Sequence, residues 1–259
     1  TTAFGQRPSE GLAVFGQRLS CATCHSGQGF ADGRSHLIGP VANRPLALRQ
    51  TPHLLRIKDS APFGWDRRNP TIEVQTRGAI VSALEMNASR EPTARELFAL
   101  GSFVETLDAP DAVPGVDFDP VKAELGKRLF NEERGTDPSG EFPVDQKISC
   151  ATCHSGPLLT DRKSHRILFA FGDPIDPGEI GSKGEMIGFK TPVLRGLRFT
   201  APYVHDGLAG DGGLGVRIPG VSEARNSLRN AVVSFYNNRF LFQFTNEELD
   251  ALTEFLLSL

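Results

Sequence analysis

Every cysteine of this 259-residue chain lies in one of two Cys-x-x-Cys-His motifs, Cys21-Ala22-Thr23-Cys24-His25 and Cys150-Ala151-Thr152-Cys153-His154. Paired thiols at this spacing form thioethers to the edge of a haem, and the histidine that follows is placed to bind the iron. The pattern predicts two covalently bound haem c groups, attached through Cys21, Cys24, Cys150 and Cys153, with His25 and His154 as iron ligands. Redox dithiols and zinc sites also use Cys-x-x-Cys, but neither calls for a histidine directly after both pairs. The two pairs also lie too far apart in sequence for a single zinc ribbon.

The elements that must position these groups read as mainly helical. Glycine (27) and proline (18) are abundant, which predicts a loop-rich chain with few long strands. Thr93-Ala94-Arg95-Glu96 has capping-box spacing ahead of Leu97, Phe98, Leu100, Phe103 and Leu107. Asp119-Pro120 supplies an N-cap and a first-turn proline for a helix from Val121 to Leu129. Thr245-Asn246-Glu247-Glu248 opens a final amphipathic helix through Leu249, Leu252, Phe255 and Leu256. The apolar positions of all three helices are read as core.

A net charge of −3 argues against nucleic-acid or membrane-surface binding. No apolar run reaches the roughly 18 residues of a membrane span. Haem of this type is attached outside the cytoplasm, so the chain is expected to be the mature form of a periplasmic protein, without a signal peptide at Thr1.

The two halves repeat one another. Cys21-Ala-Thr-Cys-His-Ser-Gly, followed by Asp32, Arg34, Ser35 and His36, matches Cys150-Ala-Thr-Cys-His-Ser-Gly, followed by Asp161, Arg162, Ser164 and His165. Thr51-Pro52 leads to Ala61-Pro62-Phe63-Gly64-Trp65-Asp66 as Thr191-Pro192 leads to Ala201-Pro202-Tyr203-Val204-His205-Asp206, so Trp65 and His205 hold equivalent places. The expected architecture is two cytochrome c-like haem lobes related by internal duplication, residues 1–110 and 115–259. The boundary falls in the proline-rich stretch Asp108 to Gly115.

Several of these segments together resemble the bacterial di-haem cytochrome c peroxidase and MauG superfamily. They are Trp65-Asp66, Leu129-Phe130, Ser149-Cys150-Ala-Thr-Cys-His, Phe189-Lys-Thr-Pro-Val-Leu-Arg195 and Ala201-Pro-Tyr-Val-His-Asp-Gly207. The resemblance implies that the first lobe reacts with hydrogen peroxide and the second transfers electrons and stores charge. It assigns Gln75 and Glu85, downstream of Trp65, to the distal side of the first haem. Chemically, O–O cleavage needs a proton moved between the peroxide oxygens, a task for the Glu85 carboxylate, while the Gln75 amide orients the peroxide. Trp65 is implied to lie between the haems and relay oxidising equivalents.

One departure from the family pattern is informative. Where many relatives carry a histidine that caps the first iron, this chain has Leu37-Ile38-Gly39-Pro40, and proline offers no ligand. The first iron is expected to be five-coordinate, with His36 in a structural role matching that of His165. On the second iron a methionine commonly opposes the proximal histidine, in the helix after the His-Asp-Gly motif. Here that helix, Ser227 to Tyr236, follows the glycine-rich insertion Gly210 to Gly220 and has no methionine. Tyr236 resembles the tyrosine ligand of MauG-like proteins, with Met186 as the alternative. An anionic phenolate favours higher oxidation states of iron than a thioether does.

The family also binds calcium between its lobes, and the matching positions are Gln50, Thr200 and Pro202. Glutamine retains the amide oxygen that a hard cation prefers. The function implied is a periplasmic di-haem, peroxide-dependent oxidase of MauG type, which forms a high-valent iron state and oxidises an aromatic residue of a partner protein. The alternatives are a cytochrome c peroxidase that reduces peroxide with electrons from a small redox protein, and a non-enzymatic di-haem electron carrier. Gln75 and Glu85 argue against the carrier.

Overall fold

The computed structural model describes residues 19–38, 47–83, 85–166, 188–207, 222–232 and 236–259. Met186, Gly39, Pro40 and the Gly210 to Gly220 insertion lie outside these residues. The described chain is mainly helical. Its longer helices are α2 (Ile72–Val81), α3 (Ala94–Val104), α4 (Pro120–Asn131), α6 (Glu223–Val232) and α8 (Asn246–Leu257). Short helices mark the two motifs, α1 (Cys21–Cys24) and α5 (Cys150–Cys153), and α7 (Asn238–Phe240) precedes the last helix.

The expected caps form, because each supplies acceptors to backbone N–H groups that a helix start leaves unpaired. The Thr93 and Thr245 N–H groups donate to Glu96 Oε2 and Glu248 Oε2, both at 2.8 Å, and the reciprocal hydroxyl bonds are present. Asp119 Oδ1 accepts from the amides of Val121 and Lys122, at 2.9 and 3.2 Å, with Pro120 in the first turn. The α4 helix runs two residues beyond the expected Leu129, to Asn131.

The residues around the two motifs adopt the same local geometry. Ser20 N–H donates to Thr23 Oγ1 at 3.1 Å and Ser149 N–H to Thr152 Oγ1 at 2.9 Å, starting each short helix alike. His36 accompanies Asp32, and His165 accompanies Asp161, each pair at 2.8 Å. Two small antiparallel sheets follow the same plan: β1 (Ser35–Ile38) pairs with β2 (Ala47–Gln50), Ser35 opposite Gln50, and β3 (Ser164–His165) pairs with β4 (Phe189–Lys190), Ser164 opposite Lys190.

Residues from Leu129 onward, on both sides of the second motif, form a hydrophobic core in which α4 lies against α8 beside Leu129, Ile148, Leu228, Phe240 and Leu252. A partly buried ionic tie closes it. Arg225 binds both carboxylate oxygens of Glu254, at 2.9 and 3.1 Å, and Glu254 accepts from the Asp119 N–H at 2.6 Å. The expected core role of the third helix is met only in part. Leu97, Leu100 and Val104 are partly covered, whereas Phe98 and Phe103 are 67% and 58% exposed among the described residues.

The α4–α8 contact depends on a missing side chain. A Cβ at Gly126 would stand 2.0 Å from the Ala251 carbonyl oxygen, a position that cannot be relieved by rotating a side chain. Replacing Gly126 by alanine is expected to lower stability by about 2 kcal/mol or more, read as a fall in the denaturant midpoint.

His53 sits where the segments around the two Thr-Pro pairs meet. Its ring lies against the backbone of Val193 and Leu55, and its Nδ1, sealed from solvent, has no hydrogen-bond partner among the described residues. Burial, opposed by contacts with the backbone of Val193 and Leu55, takes its pKa from 6.5 down to about 4. The unfolded chain therefore binds this proton more readily than the folded one. Stability from neutral His53 is complete above about pH 6.5 and is lost as the pH falls toward 4. Part of the ring faces a cavity, which reduces the effect to about 1 kcal/mol between pH 7.5 and 5. The variant His53→Val, matching the equivalent Val193, should show that much less acid destabilisation in urea unfolding at the two pH values.

Candidate haem and peroxide site

The two motif histidines are held alike. His25 N–H donates to Cys21 O at 2.8 Å, and its ring Nδ1 lies 2.9 Å from Phe30 O; His154 repeats both contacts with Cys150 O and Leu159 O, each at 2.9 Å. A carbonyl can only accept, so Nδ1 carries the proton and Nε2 keeps its lone pair for a metal. Burial favours the neutral ring, lowering the pKa of His25 and bringing that of His154 to about 4. Neutral imidazole is the form that ligates iron.

Both rings line one cavity of about 420 Å³, together with Cys24, Cys150 and Cys153. None of the four thiols is in a disulfide. A thiol pair, an oriented neutral imidazole and an apolar cavity recur at each motif, so the residues present fit a haem at both places. Each haem would be held by one Cys pair and its histidine.

At the first motif, the cavity wall also includes Gln75, Glu85, Arg68 and His36. Gln75 is carried by α2, whose start is capped by Thr71 Oγ1 accepting from the Val74 N–H at 3.3 Å. Glu85 follows the end of that helix, where its N–H donates to Ser82 O at 3.1 Å. Burial raises the Glu85 pKa, opposed by the nearby positive charge of Arg68 and by His36. Burial thus raises the carboxylate's affinity for a proton, as a group that takes up and passes on a proton requires.

At the second motif, Tyr236 lines the same cavity and its hydroxyl bonds the Cys150 thiol. Burial, with Cys150 and Cys153 adjacent, raises its pKa well above the usual phenol range. Tyr236 stands edge-on to Phe242, ring centroids 5.5 Å apart, beyond the described end of α6 at Val232.

The segments carrying the two motifs are bound across the cavity by paired backbone contacts. The Gln50 N–H donates to His205 O and the Lys190 N–H donates to Trp65 O, both at 2.8 Å. The Trp65 indole N–H donates to Gln50 O at 3.0 Å, so Trp65 is fixed to both sides. Side chains repeat the exchange: Gln50 Nε2 donates to the carbonyls of Thr200 and Pro202, and Lys190 Nζ donates to the Ser60 carbonyl.

The structure therefore brings together Gln50, Thr200 and Pro202, as the sequence suggested. In this arrangement the amide nitrogen faces the two carbonyls. A calcium ion would require the amide to turn and present its oxygen. The structure likewise gathers His25, Gln75 and Glu85 at one motif and His154 and Tyr236 at the other, with Trp65 on the shared cavity. Asn69 and His53 escaped the sequence reading, and Lys190 entered it only as part of a family segment. Asn69 acts through bonds to Phe63 and Gln75 and Lys190 through one to distant Ser60, while His53 lies in no recognised motif.

Known proteins resemble this chain in both sequence and fold. A family model described as di-haem cytochrome c peroxidase matches residues 15–110. The chain is 29% identical over 218 residues to the methylamine utilization protein MauG of Methylorubrum extorquens, covering 74% of this chain and 60% of that protein. It is 31% identical over 227 residues to MauG of Methylophilus methylotrophus, covering 74% and 65%. The chain thus spans less than two thirds of the length of these relatives. A crystal structure of a MauG-like protein associated with microbial copper homeostasis shares the fold, with a TM-score of 0.58 at 19% identity, covering 97% of this chain and 87% of that one. The helical fold, the two matching histidine and thiol sets and these similarities identify the chain as a member of the di-haem cytochrome c peroxidase and MauG superfamily.

Proposed function

We propose that this protein is a di-haem oxidase that uses hydrogen peroxide to oxidise an aromatic residue of a partner protein. The observation that carries the reading is the single cavity reaching from His25, Gln75 and Glu85 to His154 and Tyr236, with Trp65 on its wall. The recurring local geometry around the motifs supports two haem lobes, 1–110 and 115–259, derived by duplication. Cys21, Cys24, Cys150 and Cys153 would attach the haems covalently, which assigns the protein to the periplasm. No helix among the described residues is long and apolar enough to cross a membrane.

When bound, the two haems supply the iron redox chemistry that accepts oxidising equivalents from peroxide. Around them the chain's own residues divide the work. Glu85, its carboxylate given a raised proton affinity by burial, takes the proton from one peroxide oxygen and delivers it to the other. Gln75 orients the peroxide by hydrogen bonding and stabilises the departing hydroxide. His25 would hold one haem and His154, with Tyr236 on the same cavity wall, the other. Trp65 would relay oxidising equivalents between the two sites. Its indole N–H is bound to a backbone carbonyl, which is too weak a base to remove the proton, so oxidation and return of the ring need no proton transfer. Gln50, Thr200 and Pro202 would hold calcium between the lobes once the amide turns.

A cytochrome c peroxidase remains the competing reading, favoured by the family description that matches residues 15–110. Adding one equivalent of peroxide to the diferric protein and recording optical and Mössbauer spectra separates the readings. The oxidase reading expects both irons to change without a porphyrin radical, and the replacement Glu85→Gln to slow that change by about 100-fold. Unchanged spectra in the wild type would overturn it, as would rapid steady turnover with reduced cytochrome c and no oxidation of any partner protein.

A further inference from the structure

The amide of Gln75 has a defined polarity, and a residue outside the cavity sets it. Asn69 Nδ2 donates to Gln75 Oε1 at 2.6 Å. Asn69 is itself fixed by two backbone bonds with Phe63: the Phe63 N–H donates to Asn69 O at 2.6 Å and the Asn69 N–H to Phe63 O at 3.1 Å. Gly64 closes this turn at a φ of 84°, and a Cβ there would lie 3.6 Å from Gln75 Oε1. The Gln75 oxygen is therefore tucked against the turn and already engaged. Because the two ends of an amide point in different directions, its NH2 group is the end left for the cavity.

We propose that Asn69 is a positioning residue that makes Gln75 a hydrogen-bond donor, selecting small ligands that accept a hydrogen bond or gain negative charge at the first haem. The inference rests on the reading of Gln75 as a residue over that haem. A donor stabilises negative charge developing on a departing oxygen, whereas a carbonyl oxygen in the same place would repel it. The Asn69 amide thus decides the sign of the local dipole. Glu85, across the same cavity, supplies the proton and is not involved in this choice.

The replacement Asn69→Asp is nearly isosteric but leaves only acceptor oxygens, so Gln75 must turn its NH2 toward residue 69 and its oxygen into the cavity. Asn69→Leu removes the contact without imposing either orientation. Both are tested in the haem-loaded protein, with fluoride binding to the ferric form and the C–O stretching frequency of the ferrous carbon monoxide form as readouts. Asn69→Asp should weaken fluoride binding by about tenfold or more and raise the C–O frequency. Asn69→Leu should fall between the wild type and Asn69→Asp in both measurements. In a Gln75→Leu background, Asn69→Asp should have no further effect on either, because Asn69 acts only through Gln75.

Unchanged or tighter fluoride binding in Asn69→Asp would overturn the assignment, as would an effect that persists without Gln75. Failure of the wild-type protein to bind both fluoride and carbon monoxide would instead overturn the reading of an open first haem, which keeps the two failures apart.

Discussion

Two crossed backbone hydrogen bonds carry the organisation of this molecule. The strand that ends at Gln50 reaches across to the carbonyl of His205, and the strand that ends at Lys190 reaches back to the carbonyl of Trp65. Each motif-bearing segment therefore completes the turn of the other. The consequence is geometric: Trp65, tied through its carbonyl to Lys190 and through its indole to Gln50, is placed relative to both histidines by the same few atoms. Close contact is enforced as well, since a Cβ at Gly29 would stand 2.2 Å from the carbonyl oxygen of Phe199.

The same exchange explains why equivalent positions carry different chemistry. Gln50 and Lys190 stand opposite equivalent serines in the two small sheets, and each sends its side chain to backbone carbonyls of the other segment. Lys190 brings a positive charge of its own to that contact, also set over the Phe63 ring at 5.6 Å. Gln50 brings a neutral amide whose NH2 donates to two carbonyls. His53 and Val193 differ in the same manner, one polar and one apolar at matching places after the Thr-Pro pairs.

Inequality between the two ends of the cavity follows from their surroundings rather than from the motifs. Both histidines have the same bond to a carbonyl and the same preference for the neutral ring. Around His25 the wall carries Gln75, Glu85 and Arg68, polar groups suited to a reacting ligand; around His154 it carries Tyr236 and a tightly packed apolar core. One end of the cavity is lined by several ionisable and amide side chains, the other mainly by apolar ones.

Much of this was legible in the sequence because the deciding interactions are local. The Cys-x-x-Cys-His spacing, the Thr93 and Thr245 capping boxes and the Asp119-Pro120 start all depend on residues within a few positions of one another. The family resemblance likewise pointed to Trp65, Gln75, Glu85 and Tyr236, and the structure brings each of them to the cavity. What only the tertiary structure decided depends on partners far apart in the chain: the crossing of Gln50 and Lys190, the donor facing Thr200 and Pro202, the exposure of Phe98 and Phe103, and the burial of His53. Even the six-residue step from Asn69 to Gln75 belongs here, because an amide reads the same in sequence whichever end it presents. Its direction is set by a hydrogen bond, and hydrogen bonds of this kind exist only once the turn and the helix have been brought together.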